Sequence, residues 1–135
     1  MPQPEGRKLW DAARTNDSAL VNKLLKQGAE LEWRNPNGET PLARACFSGS
    51  YEAAEALCAH GAELDAQSDS QNDSQNTPLI FAADAGRTKI CEMLLALGAD
   101  PRLKNKDGET ALDKARRFNQ PGCVALLQPV TPSVW

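Results

Sequence analysis

The sequence predicts an all-α repeat protein, a solenoid of helix-turn-helix units joined by β-hairpin-like loops, and three observations carry that prediction. Leu9, Leu42, Leu79 and Leu112 recur 33, 37 and 33 residues apart. Gly28, Gly61 and Gly98 recur at 33 and 37, each followed by Ala and then an acidic residue. Two independent markers therefore share one period and its one irregularity, as copies of a single unit must. The third observation is composition: 135 residues with 5% aromatics suit a core of Leu and Ala between short, closely stacked helices, since no unit of this size can bury its apolar face alone.

The unit is clearest at 37–64, NGETPLARACFSGSYEAAEALCAHGAEL. Thr40 is a helix N-cap, and Pro41 stands at the first helical position, where a missing N–H costs nothing. Gly49 closes this first helix. A second, over about 52–60, places Ala53, Ala54, Ala56, Leu57 and Cys58 on an apolar face and ends at Gly61, a left-handed C-cap. This pattern of Gly-x-Thr-Pro-Leu, Ala-Ala and Leu-Leu-x-x-Gly-Ala-Asp over 33 residues resembles the ankyrin repeat, and the resemblance covers roughly residues 7–128. It implies an ankyrin-type α-solenoid with one domain over 1–135: an N-terminal cap at 7–36, repeats at 37–73 and 74–106, a C-terminal cap at 107–128 and a tail at 129–135.

Each element can be justified in order. The N-terminal cap opens directly on Leu9-Trp10-Asp11-Ala12-Ala13 without Thr-Pro, and Trp10 should pack over the first seam between repeats. Its second helix carries Leu20, Val21, Leu24 and Leu25 as an apolar stripe, capped by Asp17 or Ser18. An extended arm follows, turning at Asn37-Gly38. Trp33 lies in that arm, either as a lid on a neighbouring helix or as an exposed anchor.

The irregularity sits at 65–76, DAQSDSQNDSQN, where Asp69-Ser70-Gln71-Asn72 is followed by its own copy. Deleting either copy restores the 33-residue period. Lengthening a loop from about 8 to 12 residues costs only a few tenths of a kcal/mol in closure entropy, so the stack should survive it. Gln75 replaces the turn glycine seen at Gly38 and Gly108, and this hairpin should be longer, wetter and more mobile than its neighbours. The insertion is either functional or simply tolerated.

Repeat three, from Thr77-Pro78-Leu79-Ile80-Phe81-Ala82-Ala83, is the most regular. Repeat four has Arg116 where a second core Ala would stand and Pro121 at the start of its last helix, as suits a unit with nothing stacked beyond it. The tail has no helical pattern. It is open between packing through Val130 or Trp135, disorder and a docking peptide.

Net charge −3 argues against general nucleic-acid binding, which has a basic footprint. No apolar run reaches a membrane span, and the polar start is no signal peptide, so a cytoplasmic or nuclear protein is expected. Cys46, Cys58, Cys91 and Cys123 contain no CxxC pair and fall on apolar helix faces, which reads as reduced core thiols rather than a metal or redox site. The only histidine, His60, ends a helix beside Gly61. Neither a Ser-His-Asp set, nor a phosphate loop, nor a dinucleotide fingerprint is present, so no enzyme activity, cofactor or metal is expected.

Binding remains. In an ankyrin-like stack the first helices and hairpin tips line a concave face, and two columns should point into it: Asp11, Arg44, Phe81 and Lys114 two residues after the repeating Leu, and Arg14, Phe47, Asp84 and Arg117 five after it. Aromatic and Arg side chains are preferred interface anchors. The expected partner-binding set is Trp33, Arg44, Phe47, Phe81, Asp84, Lys114 and Arg117, although one Phe could instead fold back to seal a gap between repeats. Residues 52–73 hold six acidic and no basic residues, whereas 102–117 hold six basic against three acidic; this polarity either orients a partner or is plain solvated surface.

The expected function is a monomeric, non-enzymatic adaptor, scaffold or inhibitor that binds another protein or an extended peptide. The alternative is a structural subunit or homo-oligomer without groove binding. More narrowly, Leu-Trp-Asp-Ala-Ala-Arg followed by Leu-Glu-Trp-Arg and Gly-x-Thr-Pro-Leu is similar to the ankyrin portion of some plant RING-type ubiquitin ligases. This chain has no RING cysteines, so at most a substrate-recruiting role is implied.

Overall fold

A computed structural model describes residues 5–69 and 75–131. Among them the chain forms four helix pairs: α1 (Glu5–Arg14) with α2 (Ser18–Lys26), α3 (Pro41–Ser48) with α4 (Tyr51–Ala59), α5 (Pro78–Asp84) with α6 (Thr88–Ala96), and α7 (Ala111–Arg117) with α8 (Pro121–Leu127). The first helices of the pairs stack on one another as an inner layer, and the second helices form an outer one. No strand occurs among the described residues.

The helix starts follow from side-chain chemistry. Thr40, Thr77 and Thr110 hold extended backbone, and each accepts through Oγ1 the N–H three residues on, from Ala43, Ile80 and Asp113. Asp113 returns the bond to Thr110 as a capping box. Asp17 caps α2 in the same way through Leu20 N–H. Each such cap stabilises its helix by about 1 kcal/mol.

Packing is columnar. Leu9, Leu42, Leu79 and Leu112 are buried, as are Ala12, Ala45, Ala82 and Ala115 behind them, whose small size lets the inner helices approach closely. Leu24, Leu57, Leu94 and Leu127 form the matching outer column. Leu20 departs from the expected stripe, being 37% exposed. Its equivalents Ala53, Ile90 and Cys123 are covered by the preceding repeat, and α2 has none before it. Arg116 is exposed for the mirror-image reason at the other end.

Side chains also stitch one repeat to the next. Ser50 Oγ donates to Arg14 O (3.1 Å), Arg87 Nε to Phe47 O (3.2 Å) and Gln120 Nε2 to Asp84 O (3.2 Å), so each seam satisfies a carbonyl at the end of an inner helix. The turn residues opposite these donors, Asn16, Gly49 and Gly86, all have positive φ, as does Asn119 at the equivalent turn of the fourth pair. Glycine is needed at the second and third seams. A Cβ on Gly49 would lie 2.8 Å from the Arg87 guanidinium, and one on Gly86 would lie 2.3 Å from Gln120 Oε1. At the first seam the donor is the short Ser50, leaving room for Asn16, whose Oδ1 accepts Ala53 N–H at 3.0 Å.

The hairpins close alike despite their different lengths. Asn35 N–H bonds Glu39 O, Ser68 N–H bonds Asn76 O and Asn105 N–H bonds Glu109 O. The insertion is thus absorbed between closing residues eight apart rather than four, and Gln75 adopts φ 59° where Gly38 and Gly108 have 76°. The hairpins are tied together: Arg34 Nη1 reaches Gln67 O (2.8 Å) and Gln67 Nε2 reaches Lys104 O (2.8 Å). Residues 70–74, on which the expected mobility bears, lie outside the described residues, as does Trp135. Gln128–Val130 forms a 3-10 turn where the sequence carried no helical pattern, and Val130 stays exposed.

This seam geometry makes a test. Gly49→Ala should cost about 1–2 kcal/mol through left-handed strain and contact with Arg87, lowering the urea midpoint with little change in slope. Asn119→Gly, where no side chain of another described helix pair bonds across the turn, should stay within about 0.5 kcal/mol.

Candidate functional site

The inner layer presents the side chains that the two columns predict, but it does not leave them equally free. Arg44 lies between two rings, its guanidinium carbon 5.2 Å from the Trp10 centroid and 5.3 Å from that of Phe47. Nη2 donates to Glu39 Oε1 at 2.8 Å, fixing the planar group by charge and by stacking. Trp10 Nε1 and Arg44 Nε are buried with no hydrogen-bond acceptor among the described residues. Phe47 caps this stack and is 38% exposed.

Two members of the expected set are corrected. Phe81 does not line an open face: it is 6% exposed and packs edge-to-face on Phe47, centroids 6.0 Å apart. The reading in which one Phe folds back to seal the repeats is therefore the observed one. Five residues upstream, repeats two and four hold Glu39 and Glu109, which pair with Arg44 and Lys114; repeat three holds Asn76, whose Oδ1 accepts Asn105 Nδ2, and an aromatic in place of the cation. Lys114 is also buried, 7% exposed, with Nζ 3.5 Å from Glu109 Oε1 and 5.4 Å from the Phe118 ring.

Arg117 remains accessible, bonded to Glu109 Oε2 at 3.2 Å with its guanidinium 5.2 Å from Phe118. Asp84 is half-buried at the end of α5, between the two aromatic clusters in the repeat order. Trp33 is half-buried against α1, where a Cβ on Gly6 would fall 2.3 Å from its Cγ. It is a lid on the neighbouring helix, and the exposed-anchor alternative does not describe its place.

Four contributors were missed. Arg87 is exposed and reaches the Phe47 backbone carbonyl, but it comes from the N-cap of an outer helix, outside both columns. Phe118, 45% exposed, follows Arg117 just beyond the counted position. Glu39 and Glu109 were legible, since Gly-Glu-Thr recurs at 38–40 and 108–110.

Electrostatics agree with this division. Burial alone would raise the Glu109 carboxyl, but the Asn105 bond, Lys114 and Arg117 together hold it below its ordinary value. Burial pushes the Cys58 thiol up to about 11, with help from Glu55, and raises Cys46 and Cys91 further. Thiols held protonated at neutral pH are poor nucleophiles. Cys91 and Cys123 are free thiols that hydrogen-bond Sγ to Sγ at 3.8 Å across α6 and α8. Among the described residues no group of three or more His, Cys, Asp or Glu could hold a metal ion, and no helix is long and apolar enough to cross a membrane.

The family model for ankyrin repeats (3 copies) matches residues 9–105 and 69–132. The chain is 33% identical over 133 residues to the E3 ubiquitin-protein ligase Ufd4 of Drosophila melanogaster, a match covering 96% of this chain and 5% of that protein. It is 31% identical over 115 residues to the putative E3 ubiquitin-protein ligase XBAT35 of Arabidopsis thaliana, covering 84% and 24%. To Dauer abnormal formation protein 25 of Caenorhabditis elegans it is 30% identical over 119 residues, covering 88% and 30%. The chain thus spans less than a third of each of these three relatives.

Two outcomes are expected. Phe81→Ala should destabilise by about 3–4 kcal/mol and Phe47→Ala by about 1 kcal/mol in urea unfolding, with a measurable coupling between the two from their edge-to-face contact. Because its folded value is lowered, Glu109 contributes stability that is present above its unfolded value near 4.5 and lost as pH falls through the folded one. The unfolding free-energy difference between wild type and Glu109→Gln should therefore be largest near neutrality and shrink on acidification below that value.

Proposed function

We propose, from the premise that the chain belongs to the ankyrin-repeat family, that its inner face binds another protein or an extended peptide centred on Phe47. Ankyrin repeats generally mediate protein–protein interaction. The observation that carries the reading is the exposed Phe47 ring, held rigid by Arg44 on one side and Phe81 on the other. An aromatic ring left in water on a pre-ordered shelf offers apolar area at little entropic cost on binding. Arg117 and Phe118 extend the same layer two repeats on.

The relatives' names concern much longer proteins, and ligase chemistry is not carried to this chain. The role proposed is adaptor, scaffold or inhibitor, acting as a monomer in the cytoplasm or nucleus; recruiting a substrate for ubiquitin transfer is the narrower form of it. Trp33 and Phe81 support the face from beneath, whereas Arg44, Phe47, Asp84 and Arg117 meet the partner.

Affinity capture from lysate tests this with three chains. Wild type and the outer-layer variant Leu97→Ser, altered at a side chain 53% exposed on the opposite layer, should retain the same partner. A Phe47→Ala, Arg117→Glu variant that keeps its helical circular dichroism should lose it. Equal retention by all three, or light scattering giving twice the 14.6 kDa monomer mass, would favour the structural or homo-oligomeric alternative.

A further inference from the structure

We infer that the segment bound on the inner face is acidic and extended, with two anchor points about five or six residues apart, each pairing a carboxylate with an apolar side chain. This rests on the inner-face reading above and specifies its partner. The argument starts from charge accounting. Near Phe47 stand two cations: Arg44 over its ring, with Nη2 on Glu39 at 2.8 Å, and Arg87, whose Nε donates to the Phe47 backbone carbonyl at 3.2 Å. Around Phe118 stand Lys114 and Arg117, sharing the single carboxylate of Glu109 at 3.5 and 3.2 Å. In repeat one, Arg7 and Arg14 likewise share Asp11, both at 3.9 Å.

Two cations to one carboxylate recurs at each place, so this layer is locally positive in a chain of net charge −3. The surplus is also the reachable part. Arg44 and Lys114 are held against rings and carboxylates, whereas Arg87 and Arg117 are exposed beside Phe47 and Phe118. An incoming carboxylate gains the surplus charge while its neighbouring apolar group covers the ring.

Geometry sets the spacing. Neighbouring packed helices lie about 8–10 Å apart, so α3 and α7, separated by α5, are about 16–20 Å apart. An extended chain advances about 3.3 Å per residue, which makes five or six residues between anchors. Asp84, half-buried in the intervening repeat, opposes a third carboxylate there, so the middle of the segment should not be acidic.

The test is a random-peptide display selection on the immobilised full chain, followed by fluorescence anisotropy on the best synthetic peptide. Enriched peptides should carry two acidic-apolar pairs at this spacing. Replacing their acidic residues by the amides, or using the Arg87→Glu, Arg117→Glu variant, should weaken binding on the order of tenfold, and added salt should weaken it further. The Arg87→Lys, Arg117→Lys variant should retain most of it. Neutral or basic peptides that still require Phe47 would overturn the acidic specificity while leaving the inner-face reading intact. Peptides indifferent to Phe47→Ala and Arg117→Glu would overturn the inner-face reading itself. Failure to enrich any peptide also overturns the inference, and if an oligothymidylate then binds and is lost in the double Glu variant, the face serves nucleic acid instead.

Discussion

An alanine at the middle of each inner helix sets the distance at which the next repeat can sit, and nearly every other feature depends on that close approach. With Ala12, Ala45, Ala82 and Ala115 fully or almost fully buried, successive inner helices come near enough for side chains of one repeat to reach backbone carbonyls of another. Ser50, Arg87 and Gln120 do so at the three seams, and Arg34 and Gln67 do so between the hairpins. Buried backbone groups must find partners, and here the neighbouring repeat supplies them. A longer residue at an alanine position would separate the layers and release several of these bonds together.

The same closeness decides which side chains remain available. Where a glutamate precedes the inner helix, a cation folds back on it and leaves a ring partly open, as with Glu39, Arg44 and Phe47. Where the glutamate is replaced by Asn76, the ring itself goes inward. The make-up of the inner face therefore varies with the residue at each hairpin terminus. Its aromatic groups are discontinuous, Phe47 in the second unit and Phe118 in the fourth, with an acidic residue in the repeat between them.

Two of the cysteines fit the columnar logic. Cys46 stands in line with Ala13 and Ala83, and Cys91 in line with Val21, Ala54 and Val124, each filling a gap sized for a small apolar group. Burial raises both thiols, which keeps them protonated and unreactive.

Period, caps and core were determined by the sequence alone. A 33-residue recurrence of Leu, Thr-Pro and Gly-Ala specifies the helix pairs and their order, because capping, proline placement and apolar spacing are local properties that one stretch of chain expresses by itself. The four-residue insertion was visible for the same reason, as a break in that recurrence. What tertiary structure alone decided was the orientation and company of the face residues. Phe47 and Phe81 occupy different columns of adjacent repeats, and no periodicity states that one covers the other. Nor does it state that Lys114 turns inward to Glu109, that Trp33 lies on Gly6, or that Arg87 from an outer helix joins Phe47. Those outcomes depend on contacts between units some 33 residues apart in the chain, where competition for buried space and for a single carboxylate determines which side chain stays in water.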